Sequence, residues 1–241
     1  MPGGHMAGSV AVAAETIDQA LAQVDAVHAQ GADLVKLMIT GGVMDATERG
    51  VPGELKMPPE MVRAVCERAH ALGYTVAAHT ESPEGVRVAL ENGVDSIEHG
   101  AKPDEEILRL FHERGAFLCV TLSPALAHDI PIALGNDVGC QWIAQYDFWR
   151  ELCYFEKYVG VSRSFALHTA TLRNAQLAGI DDITGSIEVG KEADMIVTIG
   201  NPLDDLRVLR TVKHVIHRGH FIAKPRVKRK VEVDRELDKF L

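Results

Sequence analysis

Apolar residues recur at helical spacing through Ile17, Ala20, Leu21, Val24 and Val27, Gly31 ends the run, and "DLVKLMIT" follows as a short apolar strand. The alternation then repeats. A helix opening at "MPPE" carries Met61, Val62, Val65 and Ala69 on one face and stops at Gly73, with Pro58 and Pro59 tolerated in its first turn. After it come the strand "YTVAAH", a helix over 83–92, the strand "VDSIEH", a helix over 103–114 and the strand "AFLCVTL". Such units predict parallel strands with helical crossovers, in a barrel or a doubly wound sheet.

One joint departs from the rhythm. Between "AFLCVTL" and "IPIALGND" only "SPALAHD" remains, and Pro124 and Pro131 leave no room for a helix. A parallel crossover needs about 10 to 12 residues. Either a segment that the fold expects is lacking at 123–129, or these two strands are not adjacent parallel neighbours. Beyond Gly139 the pattern predicts helices over 146–158 and 162–177. The stretches 183–199 and 212–222 then alternate like antiparallel strands, with Gly185, Gly190 and Gly219 as turns. The run "KPRVKRKVEVDRELDKFL" closes the chain and reads as a solvated charged tail rather than a nucleic-acid arm.

The 241 residues, 46% hydrophobic and 24% charged, suffice for one large α/β domain with a small appendage. A net charge of −9 and a pI near 5.6 argue against nucleic-acid or anionic-membrane partners. No apolar stretch reaches the roughly 18 to 20 residues of a bilayer span, and no signal-peptide pattern opens the chain, so the expected location is cytoplasmic. Cys66, Cys119, Cys140 and Cys153 lack Cys-x-x-Cys spacing and read as reduced, packed thiols.

Each regular strand delivers one polar group at or near its carboxyl end: Lys36, His79, His99 and Asp137. In parallel α/β folds sites assemble at those ends. The alternation around Lys36 leaves either face of its strand apolar, which predicts a buried ammonium. Burial demands either a salt bridge, to Asp137 or Glu98, or a lowered pKa and reaction with carbon dioxide to form a carbamate. The histidines offer neutral nitrogens to zinc or a similar ion, and Asp137 offers a carboxylate for metal or proton.

The pieces "GADLVKLMITGGVM", "AHALGYTVAAHT", "ALENGVDSIEHG", "IPIALGNDVG" and "HTATLRNAQLAGIDDITGSIEVGKEADMIV", in this order, resemble the amidohydrolase superfamily, in its imidazolonepropionase and prolidase-like branch. The resemblance implies a (β/α)₈ TIM-type barrel, with strands resembling the fourth to the eighth in this chain, and part of a small β-sandwich domain. Its expected extents are 1–180 for the barrel part, 181–223 for the β portion and 224–241 for the tail. It also implies one or two divalent ions, zinc first, with Lys36 as a carbamate, His79, His99 and Asp137 as ligands, and Asp137 as the proton shuttle of the hydrolytic water. The implied reaction is hydrolysis of an amide or other C–N bond in a small dipeptide-like or cyclic amide substrate, in a homo-oligomer. The family's His-x-His pair has no counterpart here; only "PGGHMAG", with His5, precedes the first helix. An incomplete barrel leaves strand edges unpaired. The alternative expectation is therefore a catalytically inactive or assembly-dependent fragment of such a barrel.

Other features carry blander expectations. "TGG" at 40–42 presents backbone N–H groups to a substrate carboxylate or forms a plain turn. Thr80, Glu81 and Ser123 are near strand ends and are candidates to line a pocket, while capping of the next helix accounts for Glu81, Ser82 and Pro83 more simply. The aromatic group Trp142, Tyr146, Phe148, Trp149, Tyr154 and Phe155 reads as core or oligomer interface, and His168, His214, His217 and His220 as structural.

Overall fold

The structure, a computed structural model, describes residues 11–42, 46, 53–119, 130–138 and 143–241. The joint at 123–129, Ser123, Cys140, Trp142 and His5 lie outside these residues. The chain divides into two compact units, Met1–Ile132 and Ala133–Leu241.

The first unit follows the alternation of apolar runs: α1 (Ile17–Ala29), β1 (Leu34–Met38), α2 (Pro59–Ala71), β2 (Thr75–Thr80), α3 (Pro83–Glu91), β3 (Ser96–His99), α4 (Glu105–Arg114) and β4 (Phe117–Cys119). Local chemistry sets the helix ends. Thr16, Ser82 and Asp104 each accept an N–H of the first turn of α1, α3 and α4, and Gly115 closes α4 in the left-handed conformation. Sheet order is β1-β2-β3-β4-β5, where β5 is the pair Ile132–Ala133 at the boundary of the units. The pairings β1–β2, β2–β3 and β3–β4 are parallel.

The register separates two faces. Val35, Leu37, Val76, Ala78, Ile97 and Leu118 are buried on one, against which α2 and α3 pack. Leu34, Lys36, Met38, Ala77, Ser96 and Glu98 alternate onto the other, where Leu34 and Lys36 are exposed. The expected burial of Lys36 is thus corrected. Alternating apolar neighbours bury both faces only when both are covered, and this face is uncovered at Leu34 and Lys36 although His79 and Ser96 farther along it are buried. After β1 the chain doubles back: Thr40 pairs with Leu55, and Ile39 accepts the N–H groups of Lys56 and Met57.

The second unit begins with the end of β5. Here the side chain of Asn174, on α7 (Asn174–Leu177), acts as a strand edge. Its amide accepts from the Leu134 N–H and donates to the Leu134 carbonyl, both at 2.8 Å. Leu134 is buried. Asn174→Leu, similar in size, strands both backbone groups, and urea denaturation is expected to show a loss of about 2 kcal/mol.

Helix α5 (Phe148–Tyr154) runs on into a π turn at Phe155–Val159, and α6 (Arg163–His168) joins α7 through another at Thr169–Arg173. Trp149 and Phe155 are buried, in keeping with a packing role for the aromatic group. The small sheet is antiparallel, β6 (Met195–Thr198), β7 (Val212–His217) and β8 (His220–Ile222), in that order. Arg218 and Gly219, both at positive φ, make the two-residue turn of the β7–β8 hairpin. His214 and His217 are hydrogen-bonded to the Ala223 carbonyl and to Asp194, as structural histidines. Of the expected strand 183–199 only Met195–Thr198 forms. Gly185 and Gly190 at positive φ hold the earlier part in turns closed by Glu192 N–H to Ile183 O and Lys191 N–H to Glu188 O.

The charged tail is not simply solvated. Its helix α8 (Val231–Leu237) brings Asp234 to Arg150, which is 1% exposed and also bonds Asp147 and Asp238. Tyr154 Oη and Tyr158 Oη donate to the carbonyls of Leu237 and Phe240. A buried cation had to be neutralised, and the tail supplies two of its three carboxylates.

Candidate metal centre

The site in the first unit is built where β2 and β3 end. Strand β2 carries His79 beside Met38 of β1 and Glu98 of β3. Its imidazole is 2% exposed, because the flanking strands and the following loop close over it. His99 ends β3 with φ +65, and Gly100 follows at φ +79. A left-handed backbone is uncommon for histidine and is found where surrounding structure enforces it, often at functional sites. The Gly100 N–H donates to the Thr80 and Glu98 carbonyls, which ties this turn to β2. The two imidazoles meet edge to face, with ring centroids 4.7 Å apart.

A third donor comes from the loop after β2. Ser82, not Glu81, caps α3, accepting the Gly85 N–H at 3.1 Å. Glu81 is held by its backbone N–H, which donates to Thr40 Oγ1 at 3.0 Å, and its Oε1 stands 4.0 Å from His79 Nε2. Ligand atoms of His79, Glu81 and His99 all lie within 4.8 Å of one another. Capping therefore accounts for Ser82 and Pro83 but not for Glu81, which the strand-end pattern marked as a pocket or capping residue and not as a ligand. Its signal was the histidine two positions earlier.

These residues fit a divalent ion. Two imidazole nitrogens and a carboxylate are a donor set for zinc or a similar borderline ion. Glu81 Oε2 is buried and has no hydrogen-bond partner among the described residues, an arrangement that is costly for a carboxylate unless a cation completes it. Close-packed glycines shape the surrounding loop. A Cβ on Gly53 would stand 2.5 Å from the Glu81 carbonyl carbon, so this glycine lets the returning chain pack against the Glu81 backbone.

The four residues expected to converge are placed as follows. His79 and His99 come together. Lys36 is on the His79 face of the sheet, two pairing positions before Met38, and is exposed. Asp137 belongs to the second unit, four residues past β5, exposed and at φ +50. In the "TGG" segment the Gly41 N–H is already taken by the Glu54 carbonyl at 2.9 Å, which favours the turn for that residue. Cys66 is buried, and burial chiefly, with Asp95 nearby, pushes its thiol up to about 12, so it is an inert packed group.

Comparison with known proteins places this architecture. The profile of the amidohydrolase family matches residues 119–222. A candidate prolidase from Bifidobacterium longum superposes with a TM-score of 0.88 at 35% identity, over 99% of this chain and 67% of that one. The ochratoxinase of Aspergillus niger is 26% identical over 222 residues, covering 78% of this chain and 45% of its own length. The imidazolonepropionase of Symbiobacterium thermophilum is 28% identical over 152 residues, covering 56% of this chain and 36% of its own. The chain spans less than half the length of these two curated relatives. Its parallel strands and crossover helices are part of a (β/α)₈ barrel, with a small antiparallel sheet attached. On the likeness to the Bifidobacterium structure and the match of its carboxyl-terminal half, the chain belongs to the amidohydrolase family.

Proposed function

We propose that this chain carries part of the active site of a metal-dependent hydrolase that cleaves an amide or other C–N bond in a small dipeptide-like or cyclic amide substrate. The observation that carries the reading is the His79, Glu81 and His99 cluster at adjoining strand ends, with a buried carboxylate oxygen left for a cation. The likeness to a candidate prolidase, an ochratoxinase and an imidazolonepropionase supports the reaction class. His79 and His99 hold the ion, zinc as first choice, and Glu81 joins them. Lys36, on the same face as His79, contributes as a carbamate, and a second ion accompanies it when that group forms. A bound divalent ion supplies positive charge that acidifies water and polarises a carbonyl.

Asp137, in the second unit, takes the proton of the attacking water and returns it to the leaving nitrogen. The C–O bond forms at the carbonyl carbon as the C–N bond breaks, and the amine departs neutral. A division at 180 and 223 into barrel part, small β portion and tail belongs to the same reading. So do a cytoplasmic location, supported by the free thiols of Cys66 and Cys153, and a homo-oligomeric state. Among the described residues no helix is long and apolar enough to cross a membrane.

The test is hydrolysis of dipeptides ending in proline and of N-acyl amino acids, followed by amine release. Activity is expected to disappear with a chelator and to return with zinc. Hydrolysis indifferent to the chelator would overturn the metal-dependent reading. The openness of the Lys36 face favours a second reading, in which the chain is inactive alone and turns over substrate only when further barrel strands cover that face. Zinc binding without hydrolysis by the isolated chain is the result that selects it.

A further inference from the structure

The inner face of the sheet carries a second acid that the proposed reaction does not use. Glu98 pairs directly with His79 across β2 and β3, so the two side chains leave the same face of the sheet, one strand spacing of about 4.8 Å apart at the backbone. Its carboxylate is oriented: Oε1 accepts a hydrogen bond at 2.9 Å from the hydroxyl of Ser96, which is buried two residues earlier on the same strand. Oε2 has no hydrogen bond among the described residues and is not sealed from solvent. No described lysine, arginine or histidine forms an ion pair with Glu98, although exposed carboxylates elsewhere on the molecule are paired with arginine. On this face Glu98 pairs with His79 on one side and Cys119 on the other, and Ser96 with Ala77 and Phe117.

An oriented, half-buried carboxylate with no ion pair among the described residues, beside a candidate reaction centre, suits a cation. Its position on the strand, with the side chain turned toward Ser96 and away from the rim, separates it from the His79, Glu81 and His99 cluster, whose ligand atoms converge without it. We propose that Glu98 is a specificity-determining residue that binds a protonated amino group of the substrate, so that substrates with a free ammonium near the scissile bond are preferred over their N-acylated counterparts. The charge of the whole chain, −9, also favours a cationic over an anionic substrate. This proposal rests on the reading of the neighbouring cluster as the reaction centre.

The experiment compares alanyl-proline with N-acetylalanyl-proline, in wild type and Glu98→Gln. Binding is measured by calorimetry on the metal-free and zinc-loaded full chain, and hydrolysis is followed separately. The glutamine keeps an oxygen for Ser96, so the fold is retained, which circular dichroism checks. Wild type is expected to favour the free ammonium, and Glu98→Gln to weaken alanyl-proline by about 10- to 100-fold, the range for a hydrogen bond to a charged group. The acetylated peptide and the zinc stoichiometry are expected to stay unchanged. Equal weakening of both peptides, loss of zinc, no effect, or no preference in wild type each overturns the proposal. Ammonium-dependent binding with no hydrolysis of either peptide sinks the reading in which the chain is active alone, while supporting the role of Glu98.

Discussion

Replacing His79 by alanine is expected to lower zinc affinity by at least about 100-fold and, with it, to remove any chelator-sensitive hydrolysis. The scale follows from weaker changes. Loss of a group that only supports a ligand already costs 10- to 100-fold in metal affinity, and His79 is placed to be a ligand itself. Its imidazole is buried, so alanine also leaves a cavity and some stability is lost for that reason alone. Glu81→Gln separates the effects, because it conserves shape and removes only the charge. Competition against a chromophoric chelator reads both variants. If zinc affinity is the same in wild type, His79→Ala and Glu81→Gln, the cluster is not a metal centre.

The largest expected effect on stability is at Arg150. Its guanidinium is bonded to Asp147, Asp234 and Asp238, and Trp149 stacks on it with 4.5 Å from the guanidinium carbon to the ring centroid. Arg150→Met leaves Asp147 buried without its cation and Asp234 with only its longer pairs to Arg210 and Arg229, both at 3.7 Å, and the expected loss is about 3 kcal/mol in denaturant titrations. Methionine fills most of the volume, so a loss of this size measures stranded charge rather than a void. The acid side of the stability profile carries the same signature. Burial alone would raise the Asp238 carboxyl, but hydrogen bonds from Arg150 and Arg210 outweigh it and hold it below the usual carboxylate range. A carboxylate lowered by folding contributes stability above its unfolded pKa of about 4 and loses it as pH falls through the folded value. The difference between wild type and Arg150→Met is therefore expected to shrink below about pH 4. A difference independent of pH would assign the effect to packing instead.

Much of the first unit was legible residue by residue. The periodic runs at 17–27 and 61–69, closed by Gly31 and Gly73, are helices where spacing and punctuation put them, because one face of each had to be buried, and the helix expected over 83–92 forms at Pro83–Glu91. His79 and His99 were marked by their place at the ends of short apolar strands, and they meet. Glu81 was marked as a pocket-lining or capping residue and not as a ligand. Its local surroundings, a serine and a proline about to start a helix, look the same whether it caps or faces a site, and only the hydrogen bond of Ser82 to Gly85 decides between them.

Lys36 shows the opposite failure. Its neighbours are apolar on both sides of the alternation, yet it is exposed, because burial of a strand face depends on what lies across from it, and that is not written in the strand. The tail shows it again. A run of alternating charges reads as solvated until a buried arginine far away in sequence, Arg150, claims Asp234 and Asp238.

By itself, then, the sequence determined the elements, their parallel order and two imidazoles at successive strand ends, all consequences of interactions within a few residues. The tertiary structure alone decided that Glu81 joins the histidines, that Glu98 stands beside His79 and not beside Lys36, and that the charged tail is anchored. Each of these depends on register or on a partner distant in the chain, where the cost of a buried or unneutralised charge is settled only once the strands and helices are packed.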